Sequence, residues 1–127
     1  MRAIFIAVML TIGLSSAADA ATCSRSDFTG SWLVQFSTGT TCRATLAKTG
    51  KISRSSCVSG SPAKKSGKLV GTLRTSKTCH VVATVKQVFG SSARKFKVDG
   101  TLAPSKNSFK GTATANSETI TFRAKRQ

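Results

Sequence analysis

From Gly30 onward the chain alternates between apolar and polar positions with a period of two. Trp32, Val34 and Phe36 share one side of an extended segment while Ser31, Leu33 and Gln35 share the other, a half-buried strand blurred only by Leu33. The alternation is cleanest towards the C-terminus. There Phe96, Val98 and Leu102 oppose Lys95, Lys97, Asp99 and Thr101, and Phe109, Gly111 and Ala113 oppose Lys110 and Thr112. The last segment sets Ile120, Phe122 and Ala124 against Thr119, Thr121, Arg123 and Lys125. Between these ends the pattern predicts strands over Cys42 to Lys48, Lys51 to Val58, Lys68 to Thr75 and Cys79 to Phe89. In the longest of them Val81, Val82, Val85 and Val88 favour a strand over a helix. Ser37-Thr38-Gly39, Pro104 to Asn107 and Ala115-Asn116-Ser117 supply turns, and Ser59 to Gly67, dense in breakers and charge, reads as a mobile loop. No segment carries a convincing helical period.

About eight short antiparallel strands joined by tight turns predict an all-β fold. An up-and-down β-barrel is the simplest arrangement because closure removes the unpaired edges, and a β-sandwich is the runner-up. The inward positions hold Gly71, Gly100, Gly111, Ala44, Ala83, Ala113 and Ala124 beside a few large residues. Small and large side chains can interleave in a tapering barrel, so a filled interior is expected, with a ligand slot as the alternative. Trp32, the one tryptophan, is the expected core anchor.

Residues 1–20 read as a cleaved signal peptide: Arg2 opens it, Ala3 to Leu14 is apolar but too short to span a bilayer, and Ala18-Asp19-Ala20 has the small-x-small cleavage pattern. That leaves residues 21–127 as a single domain, expected to be exported to a bacterial periplasm or the exterior and not transmembrane. Four cysteines in such a chain predict two disulfides. A zinc site lacks its spacing, since no two cysteines lie two to four residues apart. If Thr49-Gly50 tips a two-residue hairpin, counting outward from Lys48 and Lys51 sets Cys42 opposite Cys57, which leaves Cys23 for Cys79. The same count makes 42 and 57 a hydrogen-bonded pair, the kind whose side chains stand farther apart.

Lysine and arginine number 20 against 4 acidic residues, a formal net charge of +16 that survives loss of the leader because Arg2 and Asp19 leave together. Charge on this scale speaks to partners and solubility, not fold. A turn at Asn116-Ser117 sets Lys110 opposite Arg123 and Ser108 opposite Lys125, with Lys95 and Lys97 on the same outer surface. These five cations, Lys95, Lys97, Lys110, Arg123 and Lys125, form the candidate anion-binding site for a polymer such as lipopolysaccharide, nucleic acid or an acidic glycan. The alternative is a solvated basic surface with no ligand. Catalysis is disfavoured by inventory: beyond the leader there is one histidine, no tyrosine, and only Asp27, Asp99 and Glu118 as acids. No cofactor or metal motif occurs.

Gly30-Ser31-Trp32, followed by Cys42-Arg43-Ala44-Thr45-Leu46 and a second cysteine at 57, resembles the opening of the small periplasmic inhibitors of bacterial metalloproteases. It also resembles the G-x-W first strand of lipocalin-like barrels, and the chain is similar to small exported barrels with an F-x-G-x-W opening. The inhibitor resemblance implies an eight-stranded barrel with Cys42–Cys57 as the family disulfide, and Ala21 to Asp27 as a segment entering a protease cleft. Three functions follow as expectations: a non-enzymatic binder of an anionic envelope component, a protease inhibitor or small-ligand barrel, and a structural envelope protein without a discrete ligand.

Overall fold

A computed structural model describes residues 22–60 and 65–127; the leader expected over residues 1–20 lies outside the described residues. After a 3-10 turn at Arg25–Phe28 come β1 (Gly30–Phe36), β2 (Thr41–Leu46), β3 (Ile52–Ser59), β4 (Lys65–Thr75), β5 (His80–Phe89), β6 (Ser92–Leu102), β7 (Ser108–Ala115) and β8 (Glu118–Arg126). Each strand pairs antiparallel with the next, and β8 returns to β1, so the sheet is a closed barrel of eight strands. The sandwich is thereby excluded. Closure sets Trp32 opposite Arg126 and Val34 opposite Ala124.

The period-two pattern maps onto the wall as inside and outside. Trp32, Val34, Ala44, Leu46, Leu69, Leu73, Val85, Phe96, Phe109, Ala113, Phe122 and Ala124 are all buried in one core. Small residues from one strand face large ones from the next, as at Gly111 and Phe122 or Ala113 and Ile120. The interior is filled save for an apolar cavity of about 50 Å³ between Trp32, Ile52, Leu69, Val85 and Phe122. Ligand pockets run from about 300 Å³ upward, so the barrel centre is a packed core in this structure.

Segment ends depart from the sequence reading at two places. The expected loop from Ser59 to Gly67 is shorter, because β3 runs through Ser59 and β4 begins at Lys65, pairing Ser59 with Lys65, Val58 with Ser66 and Cys57 with Gly67. Below those three pairs the ladder is continued by a side chain. Ser55 Oγ donates to the Leu69 carbonyl and accepts from the Leu69 amide, both at 2.7 Å, which explains how a strand with Ile52 as its one large buried apolar side chain is held in the wall.

The second departure is the β2–β3 turn. It has three loop residues, Lys48 to Gly50, not two: the Ala47 amide donates to the Lys51 carbonyl and the Gly50 amide to the Ala47 carbonyl, with Gly50 at φ 86°. Leu46 then pairs with Ile52 while Thr45 pairs with Arg54, so Ser53 is an extra, bulged residue. The two single-residue offsets cancel. Cys42 therefore still faces Cys57, and the disulfides are Cys42–Cys57 and Cys23–Cys79. The offsets also change the kind of pair. A Cα separation of 4.0 Å is the close spacing of residues that share no mutual hydrogen bonds, not the wider one that a two-residue turn would have produced.

One end of the barrel is stoppered by residues 22–29. Phe28 and Trp32 are fully buried, and the Phe109 ring stands edge-on to both, at 5.5 and 4.9 Å between centroids. Trp32 Nε1 donates to the Phe28 carbonyl at 2.7 Å, which satisfies the one polar atom of the indole inside the core. Over the indole, 4.4 Å from its centroid, lies the guanidinium of Arg126. It donates to the carbonyls of Asp27, Thr29 and Lys106 and so ties the stopper to the last strand and to the β6–β7 turn. Gly30, at φ 120°, turns the chain into β1 where a Cβ would stand 3.1 Å from that guanidinium.

Asp27 completes this end. Its Oδ2 accepts from the Ser24 amide at 2.8 Å and lies 3.2 Å from Lys106 Nζ. Desolvation pushes the carboxyl up, but the Ser24 amide, the Lys106 ammonium and the Arg126 charge outweigh it together and hold it below its ordinary value. A carboxyl lowered by folding contributes stability that is full above its unfolded value and is lost as pH falls through the folded one. Asp27→Asn is therefore expected to cost about 1 kcal/mol near neutral pH. Thermal melts across a pH series should show the gap closing below about pH 4. A gap that persists in acid would assign the cost to the amide's geometry and not to the charge.

Candidate anion-binding face

The outer surface is built by the same parity that fills the core. In β8 the inward Phe122 and Ala124 leave Arg123 and Lys125 outward, and in β7 the inward Phe109 and Gly111 leave Lys110 outward. The β7–β8 register sets Lys110 opposite Arg123 and Ser108 opposite Lys125. Beyond β8 the closed wall adds Gln35 opposite Arg123 and Leu33 opposite Lys125, and Leu33 in turn faces Arg43 of β2. Arg43, Lys125, Arg123 and Lys110 thus share the outer face of β2, β1, β8 and β7, and all four side chains are exposed.

Lys95 and Lys97 are also outward, but not beside this group. Lys110 pairs with Thr101, and Lys97 pairs with Thr114, four residues along β6, roughly 13 Å away at about 3.3 Å per residue. Lys95 instead faces Lys86 of β5. The expected single site is therefore two patches, Lys110–Arg123–Lys125 with Arg43, and Lys86–Lys95 with Lys97. Pro104 to Asn107 joins the strands as expected; what separates the patches is the length of β6, which carries Lys95 and Lys97 towards the opposite rim.

The acids decide which cations are paired. Among the described residues, Asp27 pairs with Lys106, Asp99 with His80 at 2.8 Å, and Glu118 with Arg94 at 3.4 Å. No ion pair among them engages Arg43, Lys110, Arg123 or Lys125. Lys110 and Arg123 face each other across one ladder step, where like charges are mutually unfavourable by a few tenths of a kcal/mol or more, a cost an anion between them would relieve. A groove runs past the pair, lined by Gln35, Ser37, Thr101, Thr112 and Thr121, by Asp99, and by the aromatics Phe36 and Phe122.

Other candidate chemistry is sparse. His80, the one histidine, is half exposed and donates to Asp99 Oδ1. No group of three metal-ligating side chains occurs among the described residues. Thr22 to Asp27, the segment that the inhibitor resemblance would place in a protease cleft, is tied to the barrel through Cys23–Cys79, through Lys106 Nζ on the Thr22 carbonyl, and through Asp27. Arg43 and Lys86 were outward by parity but unplaced by sequence, since only barrel closure and the β5–β6 register bring them to their partners. Arg126 continues the inward series of Ile120, Phe122 and Ala124, a signal the sequence did contain.

Compared with known protein families, with curated proteins and with solved structures, the chain matches none of them. Fold and surface define a class: a disulfide-stapled, eight-stranded antiparallel barrel with a packed interior and a basic outer face. The two disulfides fit an oxidising compartment, and among the described residues no helix is long and apolar enough to cross a membrane.

Proposed function

We propose that the protein is an exported, non-enzymatic binding protein that uses the β7–β8 sheet face to hold an anionic component of the cell envelope or another anionic polymer. The observation that carries this reading is that Lys110 and Arg123 stand directly opposite each other, beside Lys125, while the described carboxylates are engaged elsewhere. A packed interior favours the outer face over a carrier role. Binding of this kind rests on charge and on release of counterions, so it weakens steeply with salt.

The test is the Lys110→Gln/Arg123→Gln variant, titrated against DNA and against lipopolysaccharide over a salt series. Relative to the parent, affinity at low salt should fall, and the slope of log K against log salt should become shallower by about 1.5. Lys86→Gln/Lys95→Gln serves as the comparison. If that variant abolishes binding while the first matches the parent in affinity and slope, the β5–β6 patch is the site and the proposed face is wrong.

A further inference from the structure

We propose that the ligand of the β7–β8 face is an acidic glycan, a polymer of sugars bearing sulfate, phosphate or carboxylate, and not a nucleic acid; the proposal rests on the reading above. Two independent features of the outer surface point this way. The first is what the face lacks. Single-stranded nucleic acids are held by stacking bases on aromatic rings, and the chain has no tyrosine. Phe28, Trp32, Phe96, Phe109 and Phe122 are buried, and Phe36, which lines the groove together with Phe122, is partly buried against the core with its ring 6.2 Å from that of Phe122, so no described aromatic stands exposed beside the cations. A duplex is read by an element that enters a groove, and the cations of this face lie within the β7–β8 wall; the β5–β6 ribbon that runs past the end of β7, where Ser92 to Phe96 have no β7 partner, carries Lys86 and Lys95 instead.

The second feature is what stands beside the cations. Thr121 pairs with Thr112 one step from the Arg123–Lys110 pair, and Thr101 faces Lys110 on its other side. Gln35 faces Arg123. No hydrogen bond among the described residues engages the hydroxyls of Thr101, Thr112 and Thr121 or the amide of Gln35. The groove thus sets a partial ring of four uncommitted side chains, Gln35, Thr101, Thr112 and Thr121, around two cations without a carboxylate partner, while Ser37, which accepts from the Thr121 amide, and Asp99, which is paired with His80, complete the polar lining. Sugar hydroxyls are both donors and acceptors and lie a few ångströms from the acidic substituent of the same or the next residue. Neutral hydroxyl and amide groups at this spacing can pair with them while Lys110 and Arg123 take the anion. A bare phosphodiester backbone would use the cations and leave most of that ring unpaired.

Thr112→Val/Thr121→Val separates the two ligands, because it removes hydroxyls, keeps β-branching and leaves every charge in place. The probes are dextran sulfate and polygalacturonate as acidic glycans, neutral dextran, and single-stranded and duplex DNA, all at one ionic strength. The expected result is that the parent binds the acidic glycans more tightly than DNA, that the valine variant loses about tenfold for the glycans, and that its DNA affinity is unchanged. Thr112→Ser/Thr121→Ser, which restores the hydroxyls, should recover glycan binding and covers the case in which the valine variant folds poorly. If DNA binds as tightly as the glycans and neither valine nor serine changes any affinity, the glycan assignment is overturned while charge-driven binding stands. If the parent binds none of the acidic probes, the binding reading falls with it.

Discussion

Trp32→Ala is expected to lower the stability of the protein by about 3 to 5 kcal/mol, a large share of what a domain of this size has. The expectation comes from the position of the indole, which has no solvent exposure and touches the stopper, β7 and the last strand together. Truncation removes the ring that Phe109 abuts and leaves the Phe28 carbonyl without its donor. It also strips Arg126 of the surface on which its guanidinium lies. A thermal melt should show a drop of about 15 °C or more. A melt within a degree or two of the parent would mean that the stopper does not seal the barrel, and Trp32 would then be free to serve a ligand.

Arg126→Lys comes second, with an expected cost of about 2 to 4 kcal/mol although the charge is kept. One guanidinium donates to three carbonyls from two parts of the chain while lying over the indole, a planar fork that a lysine ammonium cannot reproduce. The cation–π contact is worth about 0.5 to 2 kcal/mol and each charged hydrogen bond about 1.5 to 3, and because lysine keeps the charge and part of these contacts the expected loss lies below the low end of their sum. Trp32, the one tryptophan in the chain, reports the change directly. Its emission should shift to the red in the lysine variant if the stopper loosens. An unshifted spectrum with an unchanged melt would show that Cys23–Cys79 and Lys106 hold that end without Arg126.

The two effects should not add. The indole and the guanidinium are a contacting pair, so the double variant is expected to cost less than the two single costs together. The exposed cations behave otherwise. Neutralising Lys110 and Arg123 removes a repulsion between neighbours, so the variant that loses binding is expected to melt no lower than the parent. Stability and the proposed binding are therefore expected to separate, because the wall divides them: one side of each strand faces the core and the other faces solvent.

That division is also what made part of the structure legible from sequence. A period of two assigns each residue of a strand to one of two faces, so the inward set, the outward cations of β6 to β8 and the Lys110–Arg123 pairing could be read from residue spacing and one turn. The disulfide partners could be read too, though through an error that cancelled: the turn was one residue longer than expected and the bulge at Ser53 took up the difference. Turn length and bulges are set by a few backbone torsions with little signature in hydrophobicity, so no pattern of apolar residues could have exposed either.

Sequence by itself determined the strand-rich class, the inside and outside of each strand, the net charge and the supply of paired cysteines, because all of these are local or additive properties of the residues. Tertiary structure alone decided the rest. Closure of β8 on β1 places Arg126 over Trp32 and brings Arg43 and Gln35 round to Lys125 and Arg123, residues more than 80 positions apart in the chain. The lengths and stagger of β6 and β7 separate Lys95 and Lys97 from Lys110. Which acid pairs with which base was likewise decided in space: Asp99 meets His80 across the β5–β6 ladder, Glu118 at the start of β8 meets Arg94 of β6 from beyond β7, and the cations of the candidate face are among those left without a carboxylate.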